Sequence, residues 1–133
     1  MSKDSPLQNL FIKSSEEAEK ILYEVLKDYI RIDKETHEII FLENYQSLSN
    51  EKKILLTLLA RKALQILNLV EDDSLTPREI SNKTGVNYNT VRPTLASLTK
   101  RGLVNRKEKG KYYIEITKLR TISKIIKGDK SEK

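Results

Sequence analysis

One histidine, His37, and no cysteine stand in the 133 residues. Without cysteine there is no disulfide framework, no thiolate nucleophile and no Cys-bearing zinc site. A single imidazole gives a His-based metal site or a Ser-His triad little to draw on. His37 falls in the polar stretch Asp33-Lys34-Glu35-Thr36-His37-Glu38, where a surface turn residue is expected. The acids concentrate on amphipathic helices, away from the basic part of the chain, so no carboxylate cluster for magnesium chemistry is expected. An enzyme is not expected, nor a metal or cofactor.

Charge is the more informative chemistry. The net charge is +6. Residues 1–73 carry 10 Lys/Arg against 14 Asp/Glu, and residues 74–133 carry 15 against 5. A split this sharp suits a chain in which one half faces a polyanion and the other does something else. From Tyr88 to Lys111 there are seven Lys/Arg (Arg92, Lys100, Arg101, Arg106, Lys107, Lys109, Lys111) and one acid, Glu108.

The elements that must carry these charges follow from hydrophobic period and turn chemistry. Ser14-Ser15-Glu16-Glu17 reads as a capping box, and Ala18, Ile21, Leu22, Val25, Leu26 and Tyr29 recur at helical spacing, predicting a helix to about Ile30. Ile30 and Ile32, then Ile39 to Leu42, flank a polar turn and predict a small β-hairpin. Residues 49–70 form the longest helical signal, capped by Ser49 or Asn50, and its apolar residues spread beyond one stripe. That helix must be buried on more than one side, against the N-terminal helix, the hairpin or a second subunit. Glu71-Asp72-Asp73-Ser74 is an acidic loop. In Leu75-Thr76-Pro77-Arg78-Glu79-Ile80, Thr76 caps a short helix, Pro77 fits its first position and Glu79 closes the capping box. Thr84-Gly85-Val86 makes a turn, and Asn87 caps a helix running to about Arg101, ended by Gly102. A strand from Leu103-Val104, a basic turn over residues 106–111 and a returning strand from Tyr112 to Ile116 make a second hairpin. Residues 117–127 suit a last helix stopped by Gly128. The fold class is mainly α with a small β component.

Helix, short helix, glycine turn, helix and basic hairpin occur in the order of a winged helix-turn-helix. The run from Leu75 to Leu95, with Thr76-Pro77-Arg78-Glu79-Ile80 and Thr84-Gly85-Val86-Asn87, resembles that region of many bacterial and archaeal transcription regulators. Leu98-Thr99-Lys100-Arg101-Gly102-Leu103-Val104 is similar to the junction where their recognition helix enters the wing. The resemblance covers about residues 50–117. It implies a DNA-binding transcription regulator whose recognition helix, 87–101, enters the major groove while a basic wing, 104–113, lies on the backbone.

Val91, Leu95 and Leu98 share one face and should point inward. The opposite face carries Asn89, Arg92, Pro93, Ala96 and Lys100. Asn can read adenine and Arg guanine, so Asn89 and Arg92 are the leading base-reading candidates, flanked by Tyr88 and Thr90. Phosphate contacts are expected from Thr76 and Lys83, from Lys100 and Arg101, and from the wing's Arg106, Lys107, Lys109 and Lys111. One of Tyr112 and Tyr113 should pack the hairpin, because adjacent strand residues face opposite ways. Pro93 departs from an ideal recognition helix: either the helix starts late, near Thr90, or it is kinked in its second turn.

Three segments are therefore expected: an N-terminal helix and hairpin extension over 1–48 that dimerises or binds a partner, a winged helix-turn-helix over 49–128, and a disordered tail over 129–133. Double-stranded DNA is the expected partner, bound by a homodimer, with a protein partner on the acidic half as a further option. With no apolar run of membrane-spanning length and no secretory signal at Met1-Ser2-Lys3-Asp4, a cytoplasmic protein is expected. The alternative is a winged-helix protein-interaction module in a transcription or replication assembly.

Overall fold

The computed structural model describes residues 6–11 and 14–128; the polar tail 129–133 lies outside them. Five helices, α1 (Ser14–Leu26), α2 (Asn50–Ile66), α3 (Pro77–Thr84), α4 (Tyr88–Lys100) and α5 (Leu119–Lys127), are joined with two hairpins, β1 (Ile30–Ile32) with β2 (Ile39–Phe41) and β3 (Asn105–Lys107) with β4 (Lys111–Tyr113). Short 3-10 turns cover Pro6–Leu10, Glu43–Ser47, Glu108–Gly110 and Ile116–Lys118. This is a mainly α winged helix-turn-helix with the expected N-terminal helix and hairpin.

Helix α2 is the centre of the core. Every residue from Ile54 to Ala60 is buried, and seven consecutive residues take in every direction around a helix. Ala18, Leu22, Val25 and Leu26 of α1 join Leu119, Ile122 and Ile126 of α5 in covering it; Ile80, Val91, Leu95 and Leu98 of α3 and α4 belong to the same apolar cluster. The covering that the sequence demanded is therefore supplied by the N-terminal helix and by α5. Each fully buried Leu or Ile contributes about 1.5–3 kcal/mol. Thr57, also buried, satisfies its hydroxyl on the Lys53 carbonyl at 2.8 Å.

Two helices are shorter than their periodicity suggests. α1 stops at Leu26 rather than Ile30, because Ile30 is needed in extended form to pair with Phe41. Its predicted capping box also differs: Ser14 is already helical, and Glu17 pairs with Arg120 of α5. α2 stops at Ile66 rather than Val70. Asn68 takes a left-handed φ of 64°, while the Leu69 and Asn68 N–H groups donate to the Leu64 and Gln65 carbonyls at 2.8 and 2.9 Å. That is a Schellman termination with asparagine where glycine is commoner.

The β1–β2 turn is closed by Asp33, whose Oδ1 accepts from the Thr36 and Glu35 N–H groups at 3.0 and 2.8 Å. Those bonds hold its carboxyl below the usual carboxylate range. His37 is exposed in this turn with a φ of 65°, as a turn residue should be.

Candidate nucleic-acid interface

The helix-turn-helix is set by local hydrogen bonds the sequence announces. The Thr76 hydroxyl accepts from the Glu79 N–H at 3.1 Å, and Glu79 accepts from the Thr76 N–H at 2.9 Å. In the turn, Gly85 adopts a φ of 79° with open space where a Cβ would sit, so glycine is needed there for backbone conformation alone. The Ser81 hydroxyl donates to the Val86 carbonyl at 2.7 Å, and Thr84 Oγ1 accepts from the Val86 N–H at 3.0 Å, fixing the angle between α3 and α4. Asn87 caps α4 through the Asn89 N–H at 2.7 Å. At the far end the Leu103 N–H donates to the Leu98 carbonyl at 3.0 Å, and Gly102 takes a φ of 79°. The Leu-x-x-x-Gly-Leu-Val junction is thus a Schellman cap, with Leu98 and Leu103 both in the core.

Val91, Leu95 and Leu98 are completely buried, which turns Asn89, Arg92, Pro93, Ala96 and Lys100 to solvent. Helix α4 begins at Tyr88, so the late start near Thr90 does not occur; Pro93 lies inside the helix. Lacking an N–H, it leaves the Asn89 carbonyl without its helical donor. Asn89, Arg92, Pro93 and Ala96 line a shallow hollow with Pro77 of α3 and Tyr112 of the wing. Thr90 is half-buried, and its carbonyl accepts from the Thr94 hydroxyl at 2.8 Å.

The wing differs from expectation in extent and surroundings. Its strands pair only over 105–107 and 111–113, and the turn narrows to Glu108–Gly110, where Lys109 and Gly110 both have a φ of 68°. Leu75 adds a bridge on the other edge: its N–H donates to the Tyr112 carbonyl at 2.9 Å and its carbonyl accepts from the Tyr112 N–H at 2.8 Å. Of the two tyrosines, one of which was expected to pack the hairpin, Tyr112 packs against the hydrophobic core, while Tyr113 lies 5.2 Å beneath the Lys107 ammonium.

The acids are not held apart from the basic face. Asp72 Oδ1 accepts from Lys107 Nζ and its Oδ2 from Lys111 Nζ, both at 3.2 Å. Asp73 lies 2.6 Å from the buried Lys62 and 3.9 Å from Lys107. The Ser74 hydroxyl and N–H fix Asp72 Oδ1 at 2.8 and 3.0 Å, and Arg61 Nε donates to the Asp72 carbonyl at 2.8 Å. The Ser74 hydroxyl first, then its N–H and the two lysines, hold the Asp72 carboxyl well below the usual carboxylate range; the same contact raises the Lys107 ammonium. Sequence reasoning missed this because a loop 35 and 39 residues upstream of these lysines carries no signal of where it folds back.

The cations expected to meet phosphate therefore divide in two. Lys107 and Lys111 are engaged by Asp72, and Arg101 by Glu51 at 3.0 Å. Lys83, Lys100, Arg106 and Lys109 have no carboxylate partner among the described residues. Thr76 already accepts from Glu79, and its hydroxyl proton is what it can offer a phosphate. Among the described residues no group of acids and histidine could hold a metal ion, and no helix is long and apolar enough to cross a membrane.

The family model described as "Sugar-specific transcriptional regulator TrmB" matches residues 48–120, more than half the chain. This protein belongs to the TrmB family. The matched stretch takes in α2, α3, α4 and the wing, so the arrangement above is the DNA-binding helix-turn-helix domain of a transcriptional regulator, in a family of non-enzymatic regulators. No curated protein and no solved structure gave a match.

Proposed function

We propose that this TrmB-family protein is a sequence-specific regulator that lays α4 in the major groove of double-stranded DNA and its wing along the backbone. One observation carries this: the exposed face of α4 presents Asn89 and Arg92, and Lys83, Lys100, Arg106 and Lys109 have no carboxylate partner among the described residues. Asn89 and Arg92 are the base readers, with Tyr88 and Thr90 beside them, since amide and guanidinium groups make the bidentate contacts that distinguish adenine and guanine. Lys83, Lys100, Arg106 and Lys109 bind phosphates outright, and Thr76 adds a hydroxyl. Arg101, Lys107 and Lys111 join only where a phosphate displaces Glu51 or Asp72.

The protein acts as a cytoplasmic homodimer, without a cofactor, reading two half-sites about 34 Å apart, one turn of DNA. The 1–48 extension supplies the second interface. In support, Tyr23 and Leu67 are 65% and 53% exposed beside an apolar groove between α1, β1 and the end of α2, a face suited to a second copy.

Selection from a randomised duplex pool tests the reading. Recovery of one pseudo-palindromic motif is the expected result. A pool that stays random after several rounds, with a protein partner retained instead, would assign the domain to protein interaction.

A further inference from the structure

Arg78, at the second position of α3, was not among the residues the sequence singled out, yet its guanidinium carbon lies 3.9 Å from the centroid of the Tyr88 ring. The Arg92 guanidinium carbon lies 5.8 Å from the same centroid. At 3.9 Å a planar guanidinium is in van der Waals contact with the ring and is attracted by its π cloud. Two like charges gathered on one ring repel each other, and neither has a carboxylate partner among the described residues. In this they resemble Lys83, Lys100, Arg106 and Lys109 and differ from Arg101, Lys107 and Lys111, each of which has one. Pro77, the neighbour of Arg78, lines the same hollow as Asn89 and Arg92, so the start of α3 borders the exposed face of α4.

We infer that Tyr88 is a positioning residue, a platform that holds Arg78 and Arg92 in place, and that Arg78 is a further contact to the DNA backbone. This rests on the reading of α4 as the DNA-binding helix. The ring's face is taken up by arginine rather than offered to a base. Guanidinium groups ordered before DNA arrives lose less freedom on binding, and the pair is left electrostatically unsatisfied until an anion meets it. A phosphate fits Arg78 through paired N–H donors, while Arg92, one turn into α4, keeps its task at a base edge.

Five proteins decide the matter: wild type, Arg78→Ala, Tyr88→Phe, Tyr88→Ala and the double variant Arg78→Ala with Tyr88→Ala. Each is titrated with its selected duplex and a scrambled duplex across salt, with a thermal melt to confirm folding. Arg78→Ala should lose about five- to tenfold on both duplexes, and its salt slope should fall by about 0.9, one phosphate. Tyr88→Phe, which keeps the ring face, should stay within about twofold of wild type, and Tyr88→Ala should lose about tenfold. Combining Arg78→Ala with Tyr88→Ala should cost less than the two losses multiplied, because the second change removes a platform already half empty. A Tyr88→Phe loss as large as that of Tyr88→Ala would overturn the inference, since the hydroxyl would then be the reading group. An unchanged salt slope in the exposed Arg78→Ala variant would overturn it as well. Wild type without salt-dependent binding to either duplex would instead remove the DNA reading itself.

Discussion

The Lys107 ammonium sits 3.2 Å from Asp72 Oδ1, so the wing is neutralised from inside the chain at the strand pair next to its turn. Lys111 completes the contact on Oδ2 at the same distance. A carboxylate placed there engages both ammonium groups from which phosphate contacts were expected. Replacing it with the neutral isostere, Asp72→Asn, should free both cations. We expect tighter binding to duplex DNA and a salt slope steeper by up to about 1.8, two phosphates' worth. Lys107→Ala should matter little in the wild type and clearly more in the Asp72→Asn background. Equal effects in both backgrounds would show that Lys107 meets phosphate regardless of Asp72. The measurement is fluorescence anisotropy across salt, read as a double-mutant cycle.

The same contact has a signature in acid. The folded-state pKa of Asp72 is depressed, so its contribution to stability is fully present above the unfolded value of about 3.9 and is lost as pH falls through the folded value. Asp72 is half exposed, and solvent limits the contribution to about 1 kcal/mol. Urea denaturation should show wild type more stable than Asp72→Asn by that amount from pH 7 to about 5, with the gap closing below about pH 4. A gap unchanged at the acid limit would mean the difference comes from the Ser74 hydrogen bonds alone.

Base reading and phosphate contact should separate cleanly in mutants. Arg92→Ala should weaken specific binding by about 1–3 kcal/mol and relax preference at one base pair. Lys109→Ala, at the tip of the wing, should weaken all sequences alike and lower the salt slope by about 0.9. Parallel titrations on a panel of single-base variants check both. A sequence-dependent Lys109 effect, or an Arg92 effect spread evenly over the panel, would exchange their roles.

Gly102 tests the junction between α4 and the wing. Its φ is 79° and a Cβ would meet nothing within 4 Å, so the penalty of Gly102→Ala is backbone conformation alone, about 1 kcal/mol. Chemical denaturation should report that loss, with DNA binding intact once folded. No loss would mean that the turn relaxes to negative φ.

What the sequence revealed and what it hid follow from the range of the interactions. Thr76 with Glu79, Asn87 with Asn89, and Gly102 between Leu98 and Leu103 are contacts within a few residues, and each was legible as a cap or a turn. The inward face of α4 was legible because helical period alone sets it. Asn68 carries a weaker stop signal than glycine, since asparagine ends a helix less often, so periodicity alone extends α2 four residues beyond Ile66, to Val70. Leu75 as the outer strand of the wing, Asp72 beneath Lys107 and Lys111, Glu51 with Arg101, and Glu17 with Arg120 all join segments far apart in the chain. No local pattern encodes such pairs. They decide which cations are free, which is why composition counted seven Lys/Arg from Tyr88 to Lys111 but could not divide them. Arg78 escaped notice for the same reason: its significance lies in Tyr88, ten residues on.

The central claim is that the uncompensated cations on α3, α4 and the wing bind the DNA backbone. The most direct test is the salt dependence of wild-type binding to random duplex DNA, followed by anisotropy, with the mass of the complex measured by light scattering. At least four phosphate contacts per copy predict log affinity falling linearly with log salt, with a slope of about −3 to −4 for each copy bound. A slope between zero and about −1 would contradict it.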